Sequence, residues 1–330
     1  MIRILTILGD FFGTDPESLN MEPLPRRGSE RIFFRLSLEE ERTFIVVLYD
    51  PSRTENSLYA EIAHFLGRIG VPVPKVFLYL EEENLLVLED VGNRDLYSLR
   101  DLPWEDRKPF YEKVLLAILK LHRYPLSIFQ EENVKTAPPF DRRLYEWERE
   151  YFIENFLKGI ASLEVEESSF MELTEEFEKL TTDLLSVPPC LIHRDLQSQN
   201  IMVRDEKIYL IDFQGMRAGN PFYDIASLIY DPYVRLSEEE REQVLDFYLA
   251  ERPLGFSFEE SRRALYKASI QRLMQALGAF GFLARNKGLK EFLIYVPQAL
   301  RNLYYVLSLD GQMPKLKELV LTCMSRCGVN

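Results

Sequence analysis

The sequence predicts an α+β chain of two unequal lobes, a small β-rich N-lobe and a large, mainly helical C-lobe. Three observations carry this prediction. The 330 residues exceed the usual size of a single compact domain. Short runs rich in Val, Ile, Phe and Tyr dominate before residue 92. Beyond it, apolar residues recur mostly at three- and four-residue spacing, as in amphipathic helices.

The elements follow in order. Strands are expected at Arg31–Leu38 and Thr43–Tyr49, joined by a polar turn at Glu39–Arg42. A helix over Asn56–Ile69 carries Leu58, Ile62, Phe65, Leu66 and Ile69 on one face, and Gly70 stops it. Pro72 and Pro74 force extended chain, and strands Val76–Leu80 and Leu85–Glu89 follow. A hinge near Glu89–Asn93 divides an N-terminal lobe, residues 1–91, from a C-terminal lobe, residues 92–330. Helices are expected at Pro109–His122, Arg142–Phe156, Glu172–Leu185, Glu238–Leu249, Phe258–Arg285 and Lys290–Leu309. One β-like piece interrupts them. Asn200–Asp212 reads as two short strands around a turn at Asp205–Lys207. There is no internal repeat.

Composition narrows the function. With 46% hydrophobic residues the chain can bury a sizeable core, which excludes a disordered protein. The net charge of −13 argues against nucleic-acid or anionic-membrane partners. Cys190, Cys323 and Cys327 lack the paired spacing and neighbouring His that a zinc site needs, and an odd number suits reduced thiols. The start, Met1–Asp10, has too short an apolar run for a signal peptide. No run is long enough to span a bilayer. A cytoplasmic, soluble protein is expected, with a monomer as the working state.

The richest segment is Leu191–Gly215, LIHRDLQSQNIMVRDEKIYLIDFQG. His193-Arg-Asp195 is followed after five residues by Asn200 and after twelve more by Asp212, with apolar strands between. This spacing is that of the kinase catalytic loop and metal motif. Phosphoryl transfer needs a carboxylate that orients the attacking hydroxyl and takes its proton, the role of Asp195. It also needs Mg²⁺, which prefers oxygen ligands, and Asn200 and Asp212 supply them. His193 is a scaffold residue of the loop.

The segment resembles the aminoglycoside-phosphotransferase and choline-kinase branch of the protein-kinase-like superfamily. Asn220-Pro-Phe-Tyr-Asp224-Ile-Ala-Ser-Leu is similar to that branch's continuation after the metal aspartate. An activation segment of the protein-kinase type is absent. The stretches Gly28–Arg35, Leu88–Gly92, Phe140-Asp141 through Glu148 to Tyr151-Phe152, Asp212-Phe-Gln214 and Leu277–Phe280 look like those of the anomeric kinases for N-acetylmuramate and N-acetylglucosamine. The likeness runs from about residue 5 to residue 310. It implies a protein-kinase-like two-lobe fold, ATP and Mg²⁺ as cofactors, and a small-molecule sugar as acceptor. It further implies that Asp224 holds the loop and that the backbone at Glu89–Val91 meets the adenine.

Departures from the kinase pattern set further expectations. The loop Pro25–Arg31 has one glycine, and the strand Thr43–Tyr49 lacks the lysine that usually grips the phosphates. Arg27, Arg31 and Arg35 are the candidates to replace it, with Arg31 foremost at the loop–strand junction. Glu61, deprived of that lysine, is expected on a solvated face. Glu148, Gln214 and Gln197 are the candidate sugar ligands. Trp147, His64 and His122 are expected to pack, and Arg272 to run its stem along apolar surface towards water. Two alternatives stay open: a kinase for an aminoglycoside or another small molecule, and a nucleotide-binding adaptor with little turnover.

Overall fold

A computed structural model of the protein describes residues 1–25, 31–38, 42–164, 166–252 and 255–329. Arg27, Gly28 and the rest of segment 26–30 lie outside the described residues, as do residues 39–41 of the expected turn. The N-terminal part is built on an antiparallel sheet of β1 (Asn20–Pro23), β2 (Ile32–Ser37), β3 (Thr43–Leu48), β4 (Val76–Leu80) and β5 (Leu85–Glu89). The spatial order is β1-β2-β3-β5-β4. Side chains alternate across a strand. Val46, Leu85 and Val87 therefore face one side with Leu36, and Val47, Leu86 and Leu88 face the other, joining the main core.

The first of these faces is covered by α1 (Ile2–Phe12), an element the sequence reading did not assign. Its Ile4, Ile7, Leu8 and Phe12 form the stripe that packs there. The single helix expected at Asn56–Ile69 is two, α2 (Thr54–Ser57) and α3 (Tyr59–Arg68), joined at Leu58. Helix α3 buries Ile62, Phe65 and Leu66 against the main core.

The C-terminal part is helical. Its α4 (Trp104–His122) begins five residues before Pro109, which sits inside the helix rather than at its start. After α5 (Leu126–Glu131), α6 (Arg142–Phe152) runs into a π-helical turn at Ile153–Leu157, and α7 (Glu167–Ser186) follows. Next come β6 (Cys190–Ile192), the hairpin β7 (Ile201–Arg204) and β8 (Lys207–Leu210), and β9 (Arg217–Gly219), which pairs with β6. The hairpin turns on Asp205 and Glu206, both at positive φ (49° and 60°), as a tight two-residue connection requires. Then α8 (Phe222–Ile229), α9 (Glu238–Glu251), α10 (Phe258–Asn286), α11 (Val296–Asp310) and α12 (Pro314–Arg326) complete the chain. The single helix expected over Lys290–Leu309 is a 3₁₀ turn at Lys290–Tyr295 and then α11. Pro297 lacks an N–H and suits a first turn, where that donor has no intrahelical partner anyway, and α11 starts beside it.

Helix α10 approaches α6 closely through two glycines. A Cβ on Gly278 would lie 2.9 Å from the Tyr151 ring, and one on Gly281 only 2.2 Å from the Asn155 carbonyl oxygen. That contact brings the middle of α10, with Arg272, under Asp195. No described helix is long and apolar enough to cross a membrane.

Candidate active site

The site begins where β6 ends. His193 and Arg194 follow Ile192, and Arg194 has φ 81°, a left-handed backbone uncommon for a residue with a side chain. The Asp224 carboxylate, with no exposed surface, holds this bend. Its Oδ2 accepts from the His193 N–H and its Oδ1 from the Arg194 N–H, both at 2.7 Å. His122 Nε2 also donates to Oδ2, at 3.0 Å. Burial pushes the His122 pKa down, with Asp224 opposing. The ring is thus neutral, and its Nδ1 accepts from the Tyr248 hydroxyl at 2.9 Å. His122 does pack as anticipated, but it also braces Asp224. Asp231, which the sequence reading did not single out, fixes the next stretch by accepting from the Ser198 N–H at 2.7 Å.

Asp195 projects from this loop with about a quarter of its side chain exposed. Asn200 Nδ2 donates to the Asp195 carbonyl at 3.0 Å, which leaves the Asn200 Oδ1 as the oxygen available to a cation. The Ile211 N–H returns to the Asn200 carbonyl at 2.9 Å, so the hairpin brings Asp212 beside Asn200. Asp212 itself has φ 63°. It accepts from Gln214 Nε2 at 2.7 Å and is ion-paired with Arg31 across the cleft between the lobes. Burial pushes its pKa up, but the Arg31 charge and the Gln214 hydrogen bond outweigh it and hold the carboxyl below its usual value. A carboxylate and an amide oxygen suit a hard divalent cation such as Mg²⁺, which keeps several waters and needs few protein ligands. Among the described residues no group of three or more His, Cys, Asp or Glu could hold a metal by itself.

The two lobes also meet through other pairs. Tyr59 of α3 lies on the Phe213 ring, centroids 4.5 Å apart. Glu55 of α2 accepts from Arg217 Nη2 at 2.7 Å. Glu61 accepts from the Lys135 N–H at 2.8 Å, so it is not simply solvated. At the hinge, Arg35 forks onto Asp90 at 2.6 and 3.1 Å and also reaches Asn93. Arg204 donates to the Asp90 carbonyl at 2.5 Å and to Glu89 Oε1 at 2.8 Å. Arg35 is thus engaged at the hinge, away from Asp212. Val91 is buried there, and the Glu89 side chain is taken by Arg204.

Two of the three expected sugar ligands are buried. Glu148 is fully buried, its oxygens accepting from Tyr223 Oη at 2.9 and 3.0 Å and from Gln271 Nε2 at 3.1 Å. Burial pushes its pKa up, with the nearby Arg194 opposing. No acceptor reaches it, because helices α6, α8 and α10 close around it. Gln214 is also buried; its Nε2 donates to Asp212, while its Oε1 has no hydrogen-bond partner among the described residues. Gln197 remains partly exposed on the loop and accepts from Arg272 Nη2 at 3.1 Å. Trp147, expected to pack, is 48% exposed with its ring stacked on Tyr151. Arg272, expected to reach water, is buried beneath Asp195. Positive charge converges here from Arg31, Arg194 and Arg272, in a protein whose net charge is −13.

A two-lobed fold with an aspartate loop, an amide and a second aspartate on one side of the cleft is that of the kinase-like phosphotransferases. The profile of the phosphotransferase enzyme family (APH) matches residues 21–266, and the chain belongs to that family. It is a small-molecule kinase that transfers phosphate to a hydroxyl. It is 24% identical over 304 residues to the N-acetylmuramate/N-acetylglucosamine kinase of Pseudomonas aeruginosa, covering 90% of this chain and 87% of that one. The enzyme of the same name from Pseudomonas putida is 24% identical over 285 residues, 84% and 80% of the two chains. Among solved structures, the choline kinase LicA of Streptococcus pneumoniae superposes with a TM-score of 0.62 at 15% identity, covering 91% and 99% of the chains. An ADP-bound aminoglycoside phosphotransferase superposes at 0.60 with 16% identity, covering 91% and 97%.

Proposed function

We propose that the protein is an ATP- and Mg²⁺-dependent kinase for the anomeric hydroxyl of an N-acetylated amino sugar, N-acetylmuramate or N-acetylglucosamine. The observation that carries the chemistry is the convergence of Asp195, Asn200 and Asp212 on one face of the cleft. The acceptor reading is supported by two relatives that share one name and align over most of their length. Asp195 orients the sugar hydroxyl and takes its proton as the new O–P bond forms and the bond between the β- and γ-phosphates breaks, with ADP leaving. Asn200 Oδ1 and the Asp212 carboxylate would hold Mg²⁺, which neutralises charge on the phosphates. Arg31 supplies the cation that the strand lysine supplies elsewhere, and the backbone around Glu89 and Val91 takes the adenine. Residues 1–91 form the nucleotide side of this reading and residues 92–330 the acceptor side.

Incubation of the protein with ATP, Mg²⁺ and a panel of amino sugars, aminoglycosides and choline tests this, scored by ADP release and phosphorus NMR of the product. The expected product is an acid-labile sugar 1-phosphate. Transfer to an aminoglycoside or choline instead would move the acceptor. Nucleotide binding without transfer to any acceptor would make the chain an adaptor.

A further inference from the structure

Helix α10 carries two consecutive buried polar residues, Gln271 and Arg272, beyond the last residue matched by the family profile. Consecutive helix positions point in different directions, and these two reach neighbouring parts of the catalytic loop. Gln271 holds Glu148 at 3.1 Å, and Glu148 lies 3.9 Å from the Arg194 guanidinium. Arg272 lies under Asp195. Its Nη2 faces Asp195 Oδ1 at 3.4 Å and Gln197 Oε1 at 3.1 Å. Its Nε donates to Ser227 Oγ at 2.9 Å, and its Nη1 to Gln275 Oε1. Burying a guanidinium is costly unless its partners are close and well placed, and here they are the loop itself and its supports.

We infer that Arg272 is a positioning residue for Asp195 and Gln197, and not a ligand for the carboxylate of an acidic acceptor. The inference rests on the kinase reading above. Four of the five guanidinium N–H donors already have an acceptor in the protein, so a sugar carboxylate would find a single Nη1 N–H and no free fork to pair with. The fork instead sets the Asp195 carboxylate in place. By taking Gln197 Oε1, it turns the Gln197 amide NH₂ outward as a donor to the acceptor. A neutral and an acidic amino sugar therefore depend on Arg272 equally.

The test is steady-state kinetics of wild type, Arg272→Met and Arg272→Lys with N-acetylmuramate and N-acetylglucosamine, beside ADP affinity by calorimetry and thermal unfolding. Misplacing a catalytic group by about 1 Å costs on the order of 10²-fold. Arg272→Met should lose about that much kcat on both sugars, with their kcat ratio and ADP affinity unchanged and any rise in KM equal for the two sugars. Arg272→Lys keeps the charge without the fork, so it should recover part of the loss. It also serves should Arg272→Met not fold. Wild-type kcat in Arg272→Lys overturns the inference. So does a KM increase confined to N-acetylmuramate, which would mark a carboxylate ligand. If wild type phosphorylates neither sugar, the acceptor assignment fails. The same variants compared in acceptor-free ATP hydrolysis, where Asp195 orients water, then decide the positioning role. A wild type that turns over neither sugar nor ATP overturns both.

Discussion

Arg31, at the entrance to β2, is ion-paired with Asp212 across the interlobe cleft, 181 residues away in the chain. The N-lobe thus places a cation directly on the carboxylate proposed to hold the metal. β3 offers no lysine for the purpose. Arg35, two strand periods further along, is tied to the hinge through Asp90 instead.

In nucleotide-free protein, Arg31 competes with a cation for Asp212. Removing it by Arg31→Ala should tighten Mn²⁺ binding about fivefold, the equivalent of ~1 kcal/mol for a partly exposed ion pair. The same variant should raise the KM for ATP about tenfold, because a charge-assisted contact to phosphate is lost. Mn²⁺ titration followed by electron paramagnetic resonance reads the first effect without any turnover. Unchanged Mn²⁺ affinity would show that the pair does not oppose the metal.

His122 gives the stability a pH dependence whose sign follows from its burial. Burial holds its pKa below the ordinary value of 6.5, so the unfolded chain takes up a proton that the native ring refuses. The contribution is fully present above about pH 6.5 and is lost as pH falls through the native value. Protonation would also leave Nδ1 donating towards Tyr248 Oη, which it now accepts from. Urea midpoints measured between pH 5 and 7 should fall with acidification in wild type and fall less in His122→Gln. Equal slopes would remove His122 as the cause.

The proposed catalytic trio was legible because it is local. Asp195, Asn200 and Asp212 lie within one loop and hairpin, and their spacing encodes their meeting. Sheet strands β4 and β5 were legible for the same reason, as short apolar runs bounded by turns. The supporting shell was not. Arg272 stands between apolar helix positions, where its stem reads as running to the surface, and its partner Asp195 is 77 residues away. Glu148 and Tyr151 share a helix face by spacing, yet only packing against α8 and α10 decides that Glu148 is sealed while Tyr151 is not. Helix α1 was missed because its apolar stripe is short and gains its meaning from the sheet face it covers.

The Gly281 contact sets how close α10 lies to the π-helical turn that continues α6. Gly281→Ala would put a methyl 2.2 Å from the Asn155 carbonyl oxygen, so one helix must move. Such overpacking costs about 1–3 kcal/mol, and the shift carries Arg272 away from Asp195. Urea unfolding should show the loss of stability, and kcat should fall with it. A variant as stable and active as wild type would mean that the helices have slack.

The central claim is that Asp195 takes the acceptor proton. Asp195→Asn keeps size and hydrogen bonding but removes the base. Its single-turnover rate with ATP, Mg²⁺ and the acceptor found in the panel is the most direct measurement. The rate should fall by about 10²–10⁴-fold, with ADP affinity and unfolding midpoint unchanged. A rate within a few-fold of wild type would contradict the claim and move the chemistry away from Asp195.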